Sequence, residues 1–276
     1  MDKIRLIASD MDATLLDEHS CLPAGFEQTV RALAALGIRF APASGRPLYT
    51  LEELFPTLRD ELVFIGDNGG AIRWKGQNLF TSEMSPEGWR ALNRLTREQG
   101  DIAVLCGLES AYVERPFAVH DAVLRHFYTK IEYVDRLEDV TAPADKFTIY
   151  LPQHNAQQAY DTVYASQRSI YSVAVAGECW VDIMNPGVHK GAALQTLGQL
   201  WGLPSESIMA FGDTYNDAEM LQTVRYGFLM ENGSEPLRRS VPFLAPSNRE
   251  AGVMQILQKV LTQNGFVSPA DFTPAH

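Results

Sequence analysis

The sequence predicts an α/β protein, a parallel-sheet core domain interrupted by an inserted α+β unit. Three observations carry this reading. Short apolar runs alternate with amphipathic helical stretches over roughly the first 80 residues, the pattern of parallel strand–helix–strand units. From about residue 84 the pattern turns to hairpin-like strands among helices. After Asn185-Pro186-Gly187 the strand–helix alternation resumes. The core is therefore expected over 1–83 and 185–276, with the inserted unit over 84–184.

Taken in order, residues 4–8 form the first apolar strand. Phe26, Val30, Leu33 and Ala34 recur at helical spacing, and Gly37 stands where a C-terminal cap belongs. A second strand over 38–43 ends in Ser44-Gly45-Arg46-Pro47, and a short helix over 48–54 stops before Pro56. A third strand over 62–65 closes in Gly66-Asp67-Asn68-Gly69-Gly70. Within the insert, helices are expected near 86–99, 117–128 and 155–167, and strands at 102–106, 112–114, 147–151, 171–175 and 180–183. The core then resumes with a helix over 189–201 capped by Gly202, a strand over 208–211, further short strands and a closing helix over 253–261. The tail, with Pro269 and Pro274, is expected to fray.

With 46% hydrophobic and 21% charged residues the composition is that of a soluble globular protein. A formal charge of −11 argues against a nucleic-acid partner, because affinity for phosphate backbones rests on basic patches. An anionic substrate would be repelled at long range, so a site for one must carry its own positive charge. Cys21, Cys106 and Cys179 are odd in number and far apart, a poor basis for a disulfide framework or a thiolate zinc site. No apolar stretch is long enough to span a bilayer, and no signal-peptide pattern opens the chain, so the expected location is cytoplasmic.

The chemistry is concentrated where two apolar runs end in acids. The first run ends in Asp10-Met11-Asp12-Ala13-Thr14, and the run over 208–211 ends in Gly212-Asp213-Thr214-Tyr215-Asn216-Asp217. In an open α/β sheet the loops at the carboxyl ends of neighbouring strands meet at one crevice. Two bare carboxylates about 4 Å apart repel by roughly 4 kcal/mol at an effective dielectric of ~20, so such a cluster needs protons or a hard cation. An all-oxygen set with room for water favours Mg²⁺, which commonly takes one or two carboxylates together with substrate phosphate. One acid of the Asp10/Asp12 pair can attack phosphorus and the other can serve as general acid and base. Taken alone, Asp-x-Asp serves equally well as a turn cap; the second acidic loop shifts the balance toward a metal site. Ser44-Gly45 offers a hydroxyl and backbone N–H groups to a phosphate oxygen, and Lys190 adds an ammonium at a helix N-terminus. Arg46 is read either as a phosphate contact or as a partner for a nearby acid, and His189 as a residue at the helix start.

The segments DMDATLL, ASGRP, HKG and GDTYND, in this order and at strand or helix ends, resemble the four motifs of the haloacid dehalogenase (HAD) phosphatases. The insert resembles the large C2-type cap of the Cof-type subfamily, to whose signature stretches FIGDNGGAI, MENG and SNREAGV are similar. Within that subfamily the chain looks most like bacterial sugar phosphatases. The resemblance implies a Rossmann-like core, with Asp10 as nucleophile and Asp12 as acid/base. It implies Mg²⁺ held by the side chains of Asp10 and Asp213 and the backbone carbonyl of Asp12, with Asp217 beyond the directly bound groups. Ser44, Gly45, Lys190 and Asn216 would hold the phosphate. Two positions depart from the family pattern: Ala13 stands where glycine is usual, and Glu231 where another glycine is usual. The function expected is Mg²⁺-dependent hydrolysis of small phosphomonoesters, sugar phosphates above all, through an aspartyl-phosphate. A phosphomutase or phosphotransferase, and a non-catalytic sugar-phosphate sensor, remain open at this level. Recognition of the leaving group is expected from the insert, with Glu109, Tyr112, Glu114, His120 and Trp180 as candidates.

Overall fold

The computed structural model describes residues 1–276. Strands Leu6–Ser9 and Ile208–Gly212 have every residue buried, which places them inside a sheet covered on both faces. They lie side by side in a six-stranded sheet of order Thr273–Pro274, Phe243–Ala245, Tyr226–Met230, Ile208–Gly212, Leu6–Ser9, Arg39–Pro42. All its pairings are parallel except the Thr273–Pro274 edge. Alternate side chains enter two apolar cores. Ile7, Met209, Phe211 and Phe228 pack with helices Phe26–Ala35 and Gly252–Thr262 on one face. Ala8, Ala210 and Leu229 pack with helices Lys190–Trp201 and Ala218–Thr223 on the other. A single parallel bridge from Ala43 to Ile65 extends the sheet to Val63–Gly66. That strand then opens an antiparallel ribbon with Ala71–Trp74 and Gln77–Thr81.

Between Gln77–Thr81 and Lys190–Trp201 the chain builds a second six-stranded sheet. Its order is Ser172–Val175, Trp180–Met184, Ala144–Tyr150, Ile102–Gly107, Ala111–Glu114, Ile131–Val134. Its pairings are antiparallel apart from the last. Helix Pro86–Gln99 starts where Ser85 accepts from the Gly88 N–H and Pro86 supplies a ready φ, and it ends at Gly100 in the left-handed region. Its Trp89 and Leu92 are buried against this second sheet.

Several elements differ from the sequence expectation. The helical stretch over 117–128 is two pieces, Arg115–His120 and Asp121–Phe127, because Pro116 starts a tight turn that His120 closes. The stretch over 155–167 likewise breaks at Val163 between Ala156–Thr162 and Tyr164–Ser169. Strand Ile131–Val134 escapes the sequence pattern because as a half-buried edge it carries no clean alternation. The tail does not fray. Phe266–Val267 pairs with Asp2–Lys3, and Thr273–Pro274 closes the sheet edge. The anchor is Phe272, whose ring meets those of Tyr226, Phe228 and Phe243 at 5.9, 5.0 and 5.7 Å. An edge strand tolerates the missing N–H of Pro274.

Candidate active site

Strand pairing sets the site. Leu6–Ser9 and Ile208–Gly212 run parallel in register, Ser9 opposite Phe211, so both acidic loops leave the sheet at the same place. The Asp10 N–H donates to the Phe211 carbonyl at 2.9 Å, stitching one loop to the other strand. Thr14 Oγ1 then donates to Asp213 Oδ1 at 3.2 Å. Thr214 and Asp217 form a reciprocal cap on the turn Tyr215–Asp217. Asp217 Oδ2 accepts from the N–H groups of Asp213 and Thr214 at 3.0 and 3.2 Å. Gly212 is required here, since a Cβ on it would sit 2.4 Å from that of Asp217.

Lys190 begins helix Lys190–Trp201 and is fully buried. Its Nζ donates to Asp10 Oδ1 at 2.5 Å and to Asp217 Oδ1 at 2.7 Å. His189 caps this helix, its ring accepting from the Ala192 N–H at 3.2 Å. Arg46 resolves in favour of an acid partner: Nη2 donates to Asp12 Oδ1 and Oδ2 at 2.8 and 3.0 Å. Ser44 Oγ accepts from the Arg46 N–H at 3.1 Å. Asn216 Nδ2 donates to Asn68 Oδ1 at 3.4 Å.

A cavity of about 700 Å³ between core and insert gathers Asp10, Asp12, Ser44, Gly45, Asp213 and Asn216 on one wall. Lys190 and Asp217 lie behind Asp10, outside the cavity lining, with the ammonium turned to the two carboxylates. Across the cavity stand Lys146, Trp180 and Asp182 of the insert. Of the five leaving-group candidates only Trp180 reaches the cavity. Glu109 and Glu114 instead pair with Arg73 and Arg97, and His120 abuts the ring of Tyr150.

Carboxylate oxygens of Asp10, Asp213 and Asp217 fall within 4.8 Å of one another. Burial pushes Asp10 up to about 8 against the pull of Lys190, with Asp217 and Asp213 adding to the rise. Burial, then Asp217, pushes Asp213 up to about 6. Burial alone would lower Lys190, but Asp10 and Asp217 more than offset it and hold it above the usual lysine range. Lys190 donates to Asp10 at 2.5 Å, yet burial outweighs that single ammonium and leaves the acid protonated up to about pH 8. One ammonium therefore faces three acids, and Arg46 is engaged by Asp12. The donor set is all oxygen and short of positive charge, which fits a hard divalent cation.

Sequence reasoning assigned no role to several residues that shape this site. Asn232, in the MENG stretch, donates through Nδ2 to the Ala13 carbonyl at 2.8 Å. Asn248, in SNREAGV, donates through Nδ2 to the Leu16 carbonyl at 2.9 Å, and its N–H donates to Asn232 Oδ1 at 3.0 Å. Together they strap the Asp10 loop from behind; the signature stretches were the available signal. Nothing in the structure explains Glu231. Ala13 sits at φ 59°. A left-handed alanine costs about 1 kcal/mol relative to glycine in the folded state. Glycine returns ~0.4–1 kcal/mol of that through unfolded-state entropy. Ala13→Gly should thus leave stability within about 1 kcal/mol, whereas β-branched Ala13→Val should lose roughly 2 kcal/mol in urea denaturation. Equal stability of the two variants would contradict the left-handed assignment.

The chain matches the family model for haloacid dehalogenase-like hydrolases over residues 7–257. It is 32% identical over 262 residues to the 5-amino-6-(5-phospho-D-ribitylamino)uracil phosphatase YbjI of Escherichia coli K12, covering 94% of this chain and 96% of that protein. It is 30% identical over 249 residues to the HMP-PP phosphatase of Cronobacter sakazakii, covering 87% and 89%. The crystal structure of SMU.1108c from Streptococcus mutans UA159 superposes with a TM-score of 0.83 at 28% identity, over 94% of this chain and 99% of that one. With the acidic loops joined at the carboxyl ends of two adjacent parallel strands, this chain belongs to the haloacid dehalogenase-like hydrolase family.

Proposed function

We propose that this chain, a phosphoric monoester hydrolase, is a Mg²⁺-dependent phosphatase of small sugar phosphates acting through an aspartyl-phosphate. The observation that carries the reading is the placement of Asp10. Its carboxylate lies in the cavity wall, ion-paired from behind by Lys190, with Asp12 two residues on and its side chain 57% exposed. Asp10 attacks phosphorus, and the ester oxygen leaves with a proton from Asp12. Asp12, now a carboxylate, takes a proton from the water that hydrolyses the aspartyl-phosphate. In this structure Arg46 holds Asp12 as a carboxylate through its two hydrogen bonds, so one of them must be released for Asp12 to carry the proton it gives to the ester oxygen. Ser44, Gly45 and Asn216 hold the phosphate oxygens, while Lys190 and a bound cation together would favour the ionised form of Asp10. The side chains of Asp10 and Asp213 and the Asp12 carbonyl would hold Mg²⁺, with Asp217 supporting from behind. Bound there, Mg²⁺ would neutralise phosphate charge and lower the repulsion between the acids.

A sugar leaving group suits the opposite wall, where Asp182 offers a hydrogen-bond acceptor beside the Trp180 ring. The E. coli relative's name specifies a phosphorylated ribityl compound, a sugar-like chain. A small substrate, no nucleic acid and a cytoplasmic setting complete the proposal. Phosphate release from p-nitrophenyl phosphate with and without Mg²⁺, then from sugar phosphates, nucleotides and phosphorylated cofactors, tests it. Mg²⁺-dependent release with sugar phosphates leading is the expected result. No release at all would favour a sensor, and transfer to an added sugar would favour a phosphotransferase.

A further inference from the structure

Lys146 is a lysine of the insert with only 2% of its surface exposed. Its Nζ donates to the Gly45 carbonyl at 2.6 Å and lies 3.0 Å from Asp67 Oδ1 and 3.7 Å from Asp182 Oδ2. Gly45 and Asp67 belong to the core, Asp182 to the insert. A lysine present only to neutralise buried acids would make its shortest contact with a carboxylate. Here the shortest contact is a neutral carbonyl in the loop beside the phosphate-holding serine.

That carbonyl belongs to the peptide joining Gly45 to Arg46, whose N–H donates to Ser44 Oγ at 3.1 Å. Donation from an ammonium polarises the peptide and strengthens its N–H as a donor. With Ser44 Oγ occupied as acceptor, the Ser44 hydroxyl proton is free to be given to a phosphate oxygen. A second connection runs alongside. Asp182 accepts from Thr148 Oγ1 at 2.8 Å and from Asn68 Nδ2 at 3.2 Å, and Asn68 accepts in turn from Asn216. The core loops themselves are zipped together: the Asp67 N–H donates to the Arg46 carbonyl and the Asn68 N–H to the Ser44 carbonyl, both at 2.9 Å. Asp67 and Asn68 hold φ 49° and 54°, a left-handed pair that persists only where its surroundings over-determine it.

We propose that Lys146 is a positioning residue through which the seated insert sets the Ser44–Arg46 loop for phosphate. The inference rests on the reading of Ser44, Gly45 and Asn216 as the phosphate-holding groups. It makes phosphate affinity a property of core and insert together, although no atom of Lys146 need touch the phosphate.

The test is Lys146→Met in the full chain, close in length but uncharged, with inorganic phosphate binding measured by calorimetry beside steady-state kinetics. Expected is a roughly tenfold weaker phosphate affinity, with KM rising by a similar factor for p-nitrophenyl phosphate and for glucose 6-phosphate alike. Lys146→Met leaves Asp67 without its cation, so Lys146→Met/Asp67→Asn is made in parallel to preserve the fold. Recovery of stability in the double variant without recovery of phosphate affinity supports positioning. Recovery of both, or unchanged phosphate affinity in a folded Lys146→Met protein, overturns it. A defect confined to glucose 6-phosphate also overturns it, since Lys146 would then read the leaving group. If wild type releases no phosphate from any ester, the hydrolytic reading fails separately, and calorimetry still decides the role of Lys146.

Discussion

Asp10→Asn is expected to lower turnover by on the order of 10⁴ or more while the fold survives. The substitution keeps the side chain's shape and removes the attacking anion. Phosphate ester hydrolysis is so slow unaided that no other group in the cavity can replace the covalent route. The geometry makes the expectation specific. Asp10 is the acid that lies in the cavity wall and also receives the short contact from Lys190. The amide introduced by Asp10→Asn would leave Lys190 paired with Asp217 alone, so the variant should stay folded with that contact intact. The covalent intermediate can also be caught directly. Acid quench of wild-type protein during turnover, followed by borohydride reduction, should convert the Asp10 acyl phosphate to homoserine, identified by mass spectrometry of the peptide. An unmodified Asp10 together with an active Asp10→Asn variant would end the covalent mechanism.

Removal of the divalent cation is the second large effect. Chelation should abolish activity, Mg²⁺ should restore it, and Ca²⁺ should support little turnover because its looser coordination misplaces the phosphate. Asp213→Asn should raise the Mg²⁺ concentration for half activity at least tenfold, ~1.4 kcal/mol. The raised acids add a pH signature. Asp10 stands at about 8 and Asp213 at about 6, both above the ordinary 3.8. An acid raised by folding adds stability that is complete below its unfolded value and disappears as pH climbs through its folded one. The metal-free protein should therefore lose this contribution between about pH 4 and pH 8. Mg²⁺ held as proposed would bind the ionised acids, so its stabilisation should grow over the same range. Melting temperatures with EDTA and with Mg²⁺ should diverge as pH rises. Parallel curves, or full activity in EDTA, would remove the metal from the mechanism.

The sequence exposed the parts of this molecule that follow simple rules. Two largely apolar runs ending in acids marked the paired central strands, and the positions of Asp10, Asp12, Asp213 and Asn216 around one cavity follow from that pairing. What stayed hidden depends on burial against the usual preference. Lys146, Asp67 and Asp182 are charged residues in strands or turns, where the ordinary reading is a solvated side chain. Only the meeting of insert and core removes them from water, and no local pattern encodes that meeting. The tail misled for a related reason: its prolines signal a frayed end, while the single ring of Phe272 fixes it to the sheet. Arg46 was ambiguous because phosphate and carboxylate present a guanidinium with the same geometry.

The pairing of Leu6–Ser9 with Ile208–Gly212 has a consequence for how the molecule is made. Thr14 and Asp213 touch across 199 positions of chain, so loop closure for the central sheet is among the longest-range events in the protein. A ribosome emits Leu6–Ser9 and its neighbour Arg39–Pro42 early and must then deliver the whole insert before the other neighbour, Ile208–Gly212, exists. The insert's strands are contiguous in sequence and can pair as soon as they emerge, whereas the edge of Leu6–Ser9 that receives Ile208–Gly212 must wait. No nascent chain shorter than the Asp213 loop can bring Asp10, Asp213 and Asp217 together. Catalytic competence thus arrives only late in synthesis, and the long-range strand pair serves as the checkpoint that admits it.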